Sequence, residues 1–283
     1  MATVYKTAQS GAKKQENGEK KTVVKNKQRV LILCTRGITH RQRHLMNDIE
    51  ALLPHSKKDT KLDTKSGFDV VNEVAELNNC NNSLLFESRK GQDLYLWAAK
   101  TPNGPTVKFL VQNIHTMDEL KMTGNCLKGS RPILSFDAHF GHSSHFRLLR
   151  EMLTQIFGVP KGARKSKPFI DRVCSFTLAD GRIWVRNFQI VEKDPTDPGS
   201  QEPSLVEVGP RFVLQPIRIF AGSFRGSVLW ENPDYIAPNQ IRAAALAGKA
   251  NKYVKKKAAN LEHAKKLDSL ELPEDPVADV FNQ

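Results

Sequence analysis

The amino-acid sequence predicts a mixed α/β (α+β) fold of two lobes, built by duplication and followed by a long C-terminal helix. Three observations predict it. An apolar run, a short loop and an amphipathic segment occur in that order twice, starting at Val30 and at Pro132, 102 positions apart. Each of the two is followed by a basic connection and then by strand-like runs separated by turn residues. The stretch from Asn239 to Leu270 is rich in Ala and Lys and holds no proline, as a long helix requires.

Residues 1–27 are polar and Lys-rich, with too little apolar surface to fold alone, and are expected to form a disordered basic extension of the kind that serves as a nuclear address. Val30–Cys34 is a continuous apolar run, the pattern of a strand buried on both faces. Gly37 lets the chain turn, Thr39 is the N-cap, and Leu45, Ile49, Leu52 and Leu53 form one stripe of a helix that Pro54 closes. Residues 55–67 read as a polar loop, and Phe68–Leu77 as a helix. Three strands follow, Ser83–Ser88, Leu94–Ala99 and Thr106–Val111, with turns at Lys90-Gly91 and Asn103-Gly104-Pro105.

The second half repeats the plan. Arg131–Phe136 is a strand, DAHFGHSSH a loop and Phe146–Phe157 a helix ended by Gly158 and Pro160. KGARKSKP is a basic loop; Asp171–Leu178, Arg182–Ile190 and Phe212–Phe220 are strands. The proline-bearing segment 193–204 reads as a loop. The halves span about 28–125 and 126–235, and residues 236–283 hold the helix and an acidic end. Trp97 and Trp184 fall at comparable hairpin positions, where packing inside the duplicated core is the expected role.

Charge narrows the function. Lys plus Arg number 43 against 30 Asp plus Glu, a formal charge of +13 over 283 residues. Such a field recruits polyanions, because each phosphate neutralised releases counterions. No apolar run approaches the length of a membrane span, and the N-terminus lacks a signal-peptide core. Cys34, Cys80, Cys126 and Cys174 are widely spaced with no CxxC pair, which predicts free thiols in a reducing compartment and no zinc site.

Catalytic motifs are missing. The turn CTRGITHRQ has one glycine and no lysine, so it is not a Walker A loop, and there is no GxGxxG. GHSSH is not a nucleophile elbow, and Asp137, His139, Ser143 and Ser144 do not make a triad by nearness in sequence. His139, His142 and His145 recur at steps of three but lack a fourth metal ligand, so a polar turn with histidine donors is expected. Neither a metal nor another cofactor is expected.

Binding motifs are better supplied. Arg36, Arg41, Arg43 and His44 gather at the first turn and the helix that follows. Cations there oppose the helix dipole unless an anion compensates, and guanidinium–phosphate contacts would do so; a merely solvated basic face is the alternative. Lys161, Arg164, Lys165 and Lys167 form a second basic patch, and Lys255, Lys256 and Lys257 a third on the last helix. Between Arg242 and Lys266 that helix carries eight positive residues against Glu262 alone. Scattered patches fit a long RNA better than a small ligand.

The stretches TRGITHRQRHLMNDIEALLP, FLVQNIHTMDELKMTGNCLKGSRPILSF and EVGPRFVLQPIRIF resemble the Brix-domain family of ribosome assembly factors over about residues 28–235. The Thr-Arg-Gly turn near the start and Gly209-Pro210-Arg211 near the end are the family's marks, in the family's order. The resemblance implies a two-lobed fold, each half similar to the anticodon-binding domain of class II aminoacyl-tRNA synthetases. It also implies a non-catalytic nucleolar factor of large (60S) subunit biogenesis, which binds precursor ribosomal RNA beside a dedicated protein partner and other pre-60S proteins, away from membranes. Carried over by position, Thr35, Arg36, Gly37 and Arg211 would face RNA; His142 and the basic tail are added from their own chemistry. Arg211 has the alternative of pairing with Glu207. A protein–protein scaffold with only weak RNA anchoring is the competing function.

Overall fold

The computed structural model describes residues 28–63, 67–119, 124–160, 163, 165–192, 203–270 and 277. The basic N-terminal extension, most of the proline-bearing loop and nearly all of the acidic end therefore lie outside the described residues.

The first half runs β1 (Val30–Thr35), α1 (His40–Leu52), β2 (Ser56–Leu62), α2 (Val70–Leu77), β3 (Asn82–Arg89), β4 (Asp93–Lys100) and β5 (Thr106–His115). The second runs β6 (Pro132–Phe136), a 3₁₀ turn (Ala138–Gly141), α3 (Ser144–Phe157), β7 (Arg172–Ala179), β8 (Arg182–Val191), β9 (Ser204–Glu207), β10 (Arg211–Phe220) and β11 (Val228–Glu231). α4 (Pro238–Asp268) ends the fold. The expected helices and strands are present, with boundaries moved by a few residues.

Three strands depart from the expectation. Residues 56–62, read as loop, form β2, which pairs in parallel with β1 at the sheet edge. Its sequence SKKDTKL has no apolar alternation because an edge strand need bury neither face, and its lysines guard the edge against further pairing. β9 and β11 are four-residue strands added to β8 and β10.

All the strands join one sheet, ordered β2-β1-β3-β4-β5-β10-β8-β7-β6, with β9 and β11 off the path. From the β5–β10 junction outward, each half places its strands in the same order. β1 lies parallel to β3 as β6 does to β7, and each of those pairs continues into an antiparallel hairpin. β5 and β10 meet antiparallel, with Leu110 opposite Gln215 and Phe109 opposite Pro216.

α1 and α3 cover the same face of this sheet and share one core. Leu45 and Ile49 of α1, Leu149 and Leu153 of α3, and Phe86, Phe109, Phe176 and Phe212 of the sheet belong to a single apolar cluster. At residue level α1 begins where Thr39 N–H donates to Gln42 Oε1 at 3.0 Å. On the opposite face α2 covers the first half alone: Val71 and Ala75 pack on Leu31, Leu33, Leu85, Trp97 and Phe224. β1 is thus buried on both faces, as its unbroken apolar run requires. Cys34, Cys80 and Cys174 are buried, Cys126 is half-buried, and all four are free thiols.

Buried polar contacts help fasten the halves together. The buried Arg172 guanidinium donates to the carbonyls of Leu52 and Ser130. His55, 6 % exposed, donates from Nε2 to the Ile156 carbonyl at 3.0 Å, and its Nδ1 is buried without a partner among the described residues. Burial pushes the His55 pKa down to about 4. A folded-state pKa below the unfolded 6.5 means that the unfolded chain binds the proton first as pH falls. Stability contributed by neutral His55 is full above pH ~6.5 and is lost progressively toward pH ~4, about 2 kcal/mol of it by pH ~5. Denaturant melts at pH ~7 and ~5 should show this loss, and His55→Gln should flatten it.

Candidate nucleic-acid interface

The Thr-Arg-Gly turn links β1 to α1. Thr35 is fully buried, and its Oγ1 accepts the Ser88 N–H at 3.1 Å. It pins the turn to β3 and does not face solvent, contrary to the expectation that it contacts RNA. Gly37 sits at φ +87°, a backbone region that side chains disfavour, so the turn needs its glycine. Arg36 is exposed, with Nη1 3.4 Å from Asp63 Oδ2.

Two basic residues of the first helical turns have protein partners. Arg41 Nη2 lies 3.0 Å from Glu119 Oε1, and His44 Nδ1 lies 3.0 Å from Asp118 Oδ2. Both acids stand just after β5, in a segment docked on α1 where Asp48 accepts the Met117 N–H at 2.9 Å. Burial against that segment raises the Asp48 pKa. The dipole conflict read from the sequence is thus compensated from within the chain. Exposed pairs of this kind contribute little, so a phosphate can exchange for either carboxylate. Arg43 is exposed and has no ion pair among the described residues.

The equivalent loop of the second half, between β6 and α3, carries the histidines. His139 Nδ1 lies 3.0 Å from Asp137 Oδ2, and the hydrogen bond holds the Asp137 carboxyl below its usual range. His142 is exposed beside the His139 ring. His145 stacks on Trp230 with centroids 4.4 Å apart, and burial lowers its pKa. Among the described residues, no three His, Cys, Asp or Glu side chains converge as a metal site would need.

Gly209-Pro210-Arg211 opens β10. Gly209 takes φ +84°, and the buried Asn187 holds the bend, its Nδ2 donating to the Pro210 carbonyl at 3.1 Å while its own carbonyl accepts the Val208 N–H. Arg211 Nη1 lies 3.6 Å from Glu207 Oε2, a loose pair that leaves the side chain about one-third exposed. The pairing alternative is therefore the one present in the free protein. Arg211 also lines a shallow hollow of about 270 Å³ with Asn113, His115, Trp184 and Arg186.

Among the described residues, no contact joins the remaining sites to the turn. Lys165 and Lys167 are exposed; Lys161 and Arg164 lie outside the described residues. Lys255, Lys256 and Lys257 are exposed on α4, which buries none of its residues and is tied to the sheet by the Arg242–Asp93 ion pair. The sequence reading did not select Trp184, Arg182 or Arg186. Trp97 is buried under α2, but Trp184 is only half-buried, with Arg186 5.8 Å from its ring centroid. One signal was available. Thirty positions separate the end of α1 from β3, but fifteen separate α3 from β7, leaving no room for a second covering helix and its connections.

A family model described as Brix domain matches residues 35–218. The chain is 49% identical to "Ribosome biogenesis protein brx1" of Schizosaccharomyces pombe, across 99% of this chain and 100% of that one. It is 49% identical to "Ribosome biogenesis protein BRX1" of Saccharomyces cerevisiae, over 98% of each. Against "Ribosome biogenesis protein BRX1 homolog" of Homo sapiens the identity is 53%, over 91% of this chain and 71% of the relative. Among solved structures, a probable ribosomal biogenesis protein from Aeropyrum pernix K1 aligns with TM-score 0.45 and 14% identity, over 66% of this chain and 96% of that one.

Proposed function

The chain belongs to the Brix-domain family, and on that premise we propose that it is a ribosome assembly factor that binds precursor ribosomal RNA. The observation that carries the reading is near-full-length identity of about one half to relatives named ribosome biogenesis proteins. Chemistry supports the RNA part. Exposed cations lie on separate elements, at Arg36 and Arg43, at Lys165 and Lys167, at Arg182 and Arg186, and along α4, a spread that suits an extended polyanion. In this reading the protein acts in large (60S) subunit biogenesis in the nucleolus, catalyses no reaction and needs no cofactor. A dedicated protein partner and neighbouring pre-60S proteins complete its setting. No helix among the described residues is long and apolar enough to cross a membrane.

The scaffold reading has one observation in its favour: α4 leaves Leu246, Tyr253, Val254 and Leu261 exposed among its lysines. Filter binding to a ribosomal RNA fragment separates the two. Backbone binding predicts affinity falling at least tenfold between ~50 and ~200 mM salt. Arg36→Glu combined with Arg43→Glu should weaken binding about tenfold and shallow the salt slope. RNA affinity indifferent to salt and to both substitutions would leave the scaffold reading.

A further inference from the structure

The two tryptophans at matching sheet positions have different surroundings. Trp97 lies in β4 between Leu85 of β3 and Lys108 of β5. Trp184 lies in β8 between Thr177 of β7 and Val213 of β10. β4 and β8 are the third strands counted inward from β1 and β6, so the positions correspond. Both indoles point to the face opposite α1 and α3. α2, Phe68, Phe220 and Phe224 seal Trp97 on that face. Its N–H donates to buried Glu87 at 2.8 Å. Among the described residues no helix covers Trp184.

The register shows why a helix is not the missing cover. In the first half, Leu31 and Ala99 both lie opposite Ser83 and, with Leu85, form the apolar seat of α2. In the second, Ser135 and Arg186 both lie opposite Ser175, and Thr177 takes the place of Leu85. Three apolar positions have thus become serine, threonine and arginine around a retained tryptophan. An apolar helix face seated there would bury the Arg186 charge and two hydroxyls, at a cost that the seat in the first half avoids.

The cations set the occupant. Arg182 and Arg186 flank Trp184 on the exposed face of β8, and Arg211 and His115 close the hollow beside it. Two carboxylates border this group, each loosely held: Glu207 lies 3.6 Å from Arg211 and Glu119 lies 3.8 Å from His115, while Arg182 and Arg186 have no ion pair among the described residues. A flat aromatic surface between guanidinium groups matches an unpaired nucleotide, with the base on the indole and its phosphates on the arginines. We infer that the Trp184 face of the second half is a binding site for single-stranded RNA. The inference rests on the RNA-binding reading and adds to it a site selective for unpaired bases.

The test compares a short oligouridylate with a blunt RNA duplex of matched length, using the full chain. Trp184→Ala should weaken oligouridylate binding about tenfold, or about 1.4 kcal/mol, within the range seen when a stacking aromatic is removed. Duplex binding should change less than about twofold. Trp184→Phe should keep most of the affinity, and Arg186→Glu should weaken both ligands. In the unaltered chain, ultraviolet crosslinks to oligouridylate should fall on the tryptic peptide Ile183–Arg186. Oligouridylate affinity unchanged in Trp184→Ala, with duplex binding and its Arg36 and Arg43 dependence intact, overturns the site and spares the broader reading. Failure of the unaltered chain to bind either RNA overturns both.

Discussion

Trp97→Ala should destabilise the protein by about 3–5 kcal/mol, the usual cost of truncating a large buried aromatic. Two losses add. The ring leaves a cavity among Phe68, Phe220 and Phe224, whose centroids lie 5.3, 5.8 and 6.3 Å from its own. Its N–H leaves Glu87, a carboxylate that is 6 % exposed and held below its ordinary range although burial alone would raise it. Trp97 and Arg89 supply the compensating hydrogen bonds, helped by Lys108. The matched change Trp184→Ala should cost clearly less, about 1–2 kcal/mol, because a partly exposed ring with no covering helix gives up fewer contacts. Chemical denaturation of the two variants checks the contrast; equal losses would mean that the second tryptophan is core.

Phe176→Ala should cost a similar ~3–5 kcal/mol, with an effect reaching beyond its own half. Phe176 stacks on Phe136 with centroids 4.7 Å apart and meets Phe157 edge-on at 5.4 Å. Those rings belong to the same cluster as Leu45 and Ile49 of α1 and Phe86 of β3. A defect in a shared core lowers the free energy of global opening for every element in it. Native-state hydrogen exchange should therefore show reduced protection of the most protected amides in β1 and β3 as well as in β7. Protection lost from the second half alone would show that the halves open separately.

Much of the fold was legible because it rests on local patterns. The apolar run at Val30, the stripe on α1 and the turn residues between hairpin strands are set by neighbours in the chain, and the repeat confirmed their order. β2 was not legible: an edge strand rich in Lys buries no alternating face, so its sequence is that of a loop. The site was read less completely because its geometry depends on distant residues. Arg41 finds Glu119, 78 positions away, and Thr35 finds Ser88, 53 positions away. Gly37 was read correctly from its turn, since a positive φ is a local demand. Comparable hairpin positions predict core packing for both Trp97 and Trp184, and the correspondence of position holds. The surroundings of Trp184 differ because α2 has no counterpart among the described residues.

The β5–β10 seam has a consequence for how such a chain arises. Each half contributes its corresponding strand to it, antiparallel, as two identical subunits would across a twofold axis. The joint is an isologous dimer interface held within one polypeptide. Among the described residues, the segment linking β5 to β6 contributes no strand to the ladder. Such a seam is what fusion of a self-pairing half-length chain would produce. In that arrangement one half can lack a covering helix while the other keeps the sheet intact.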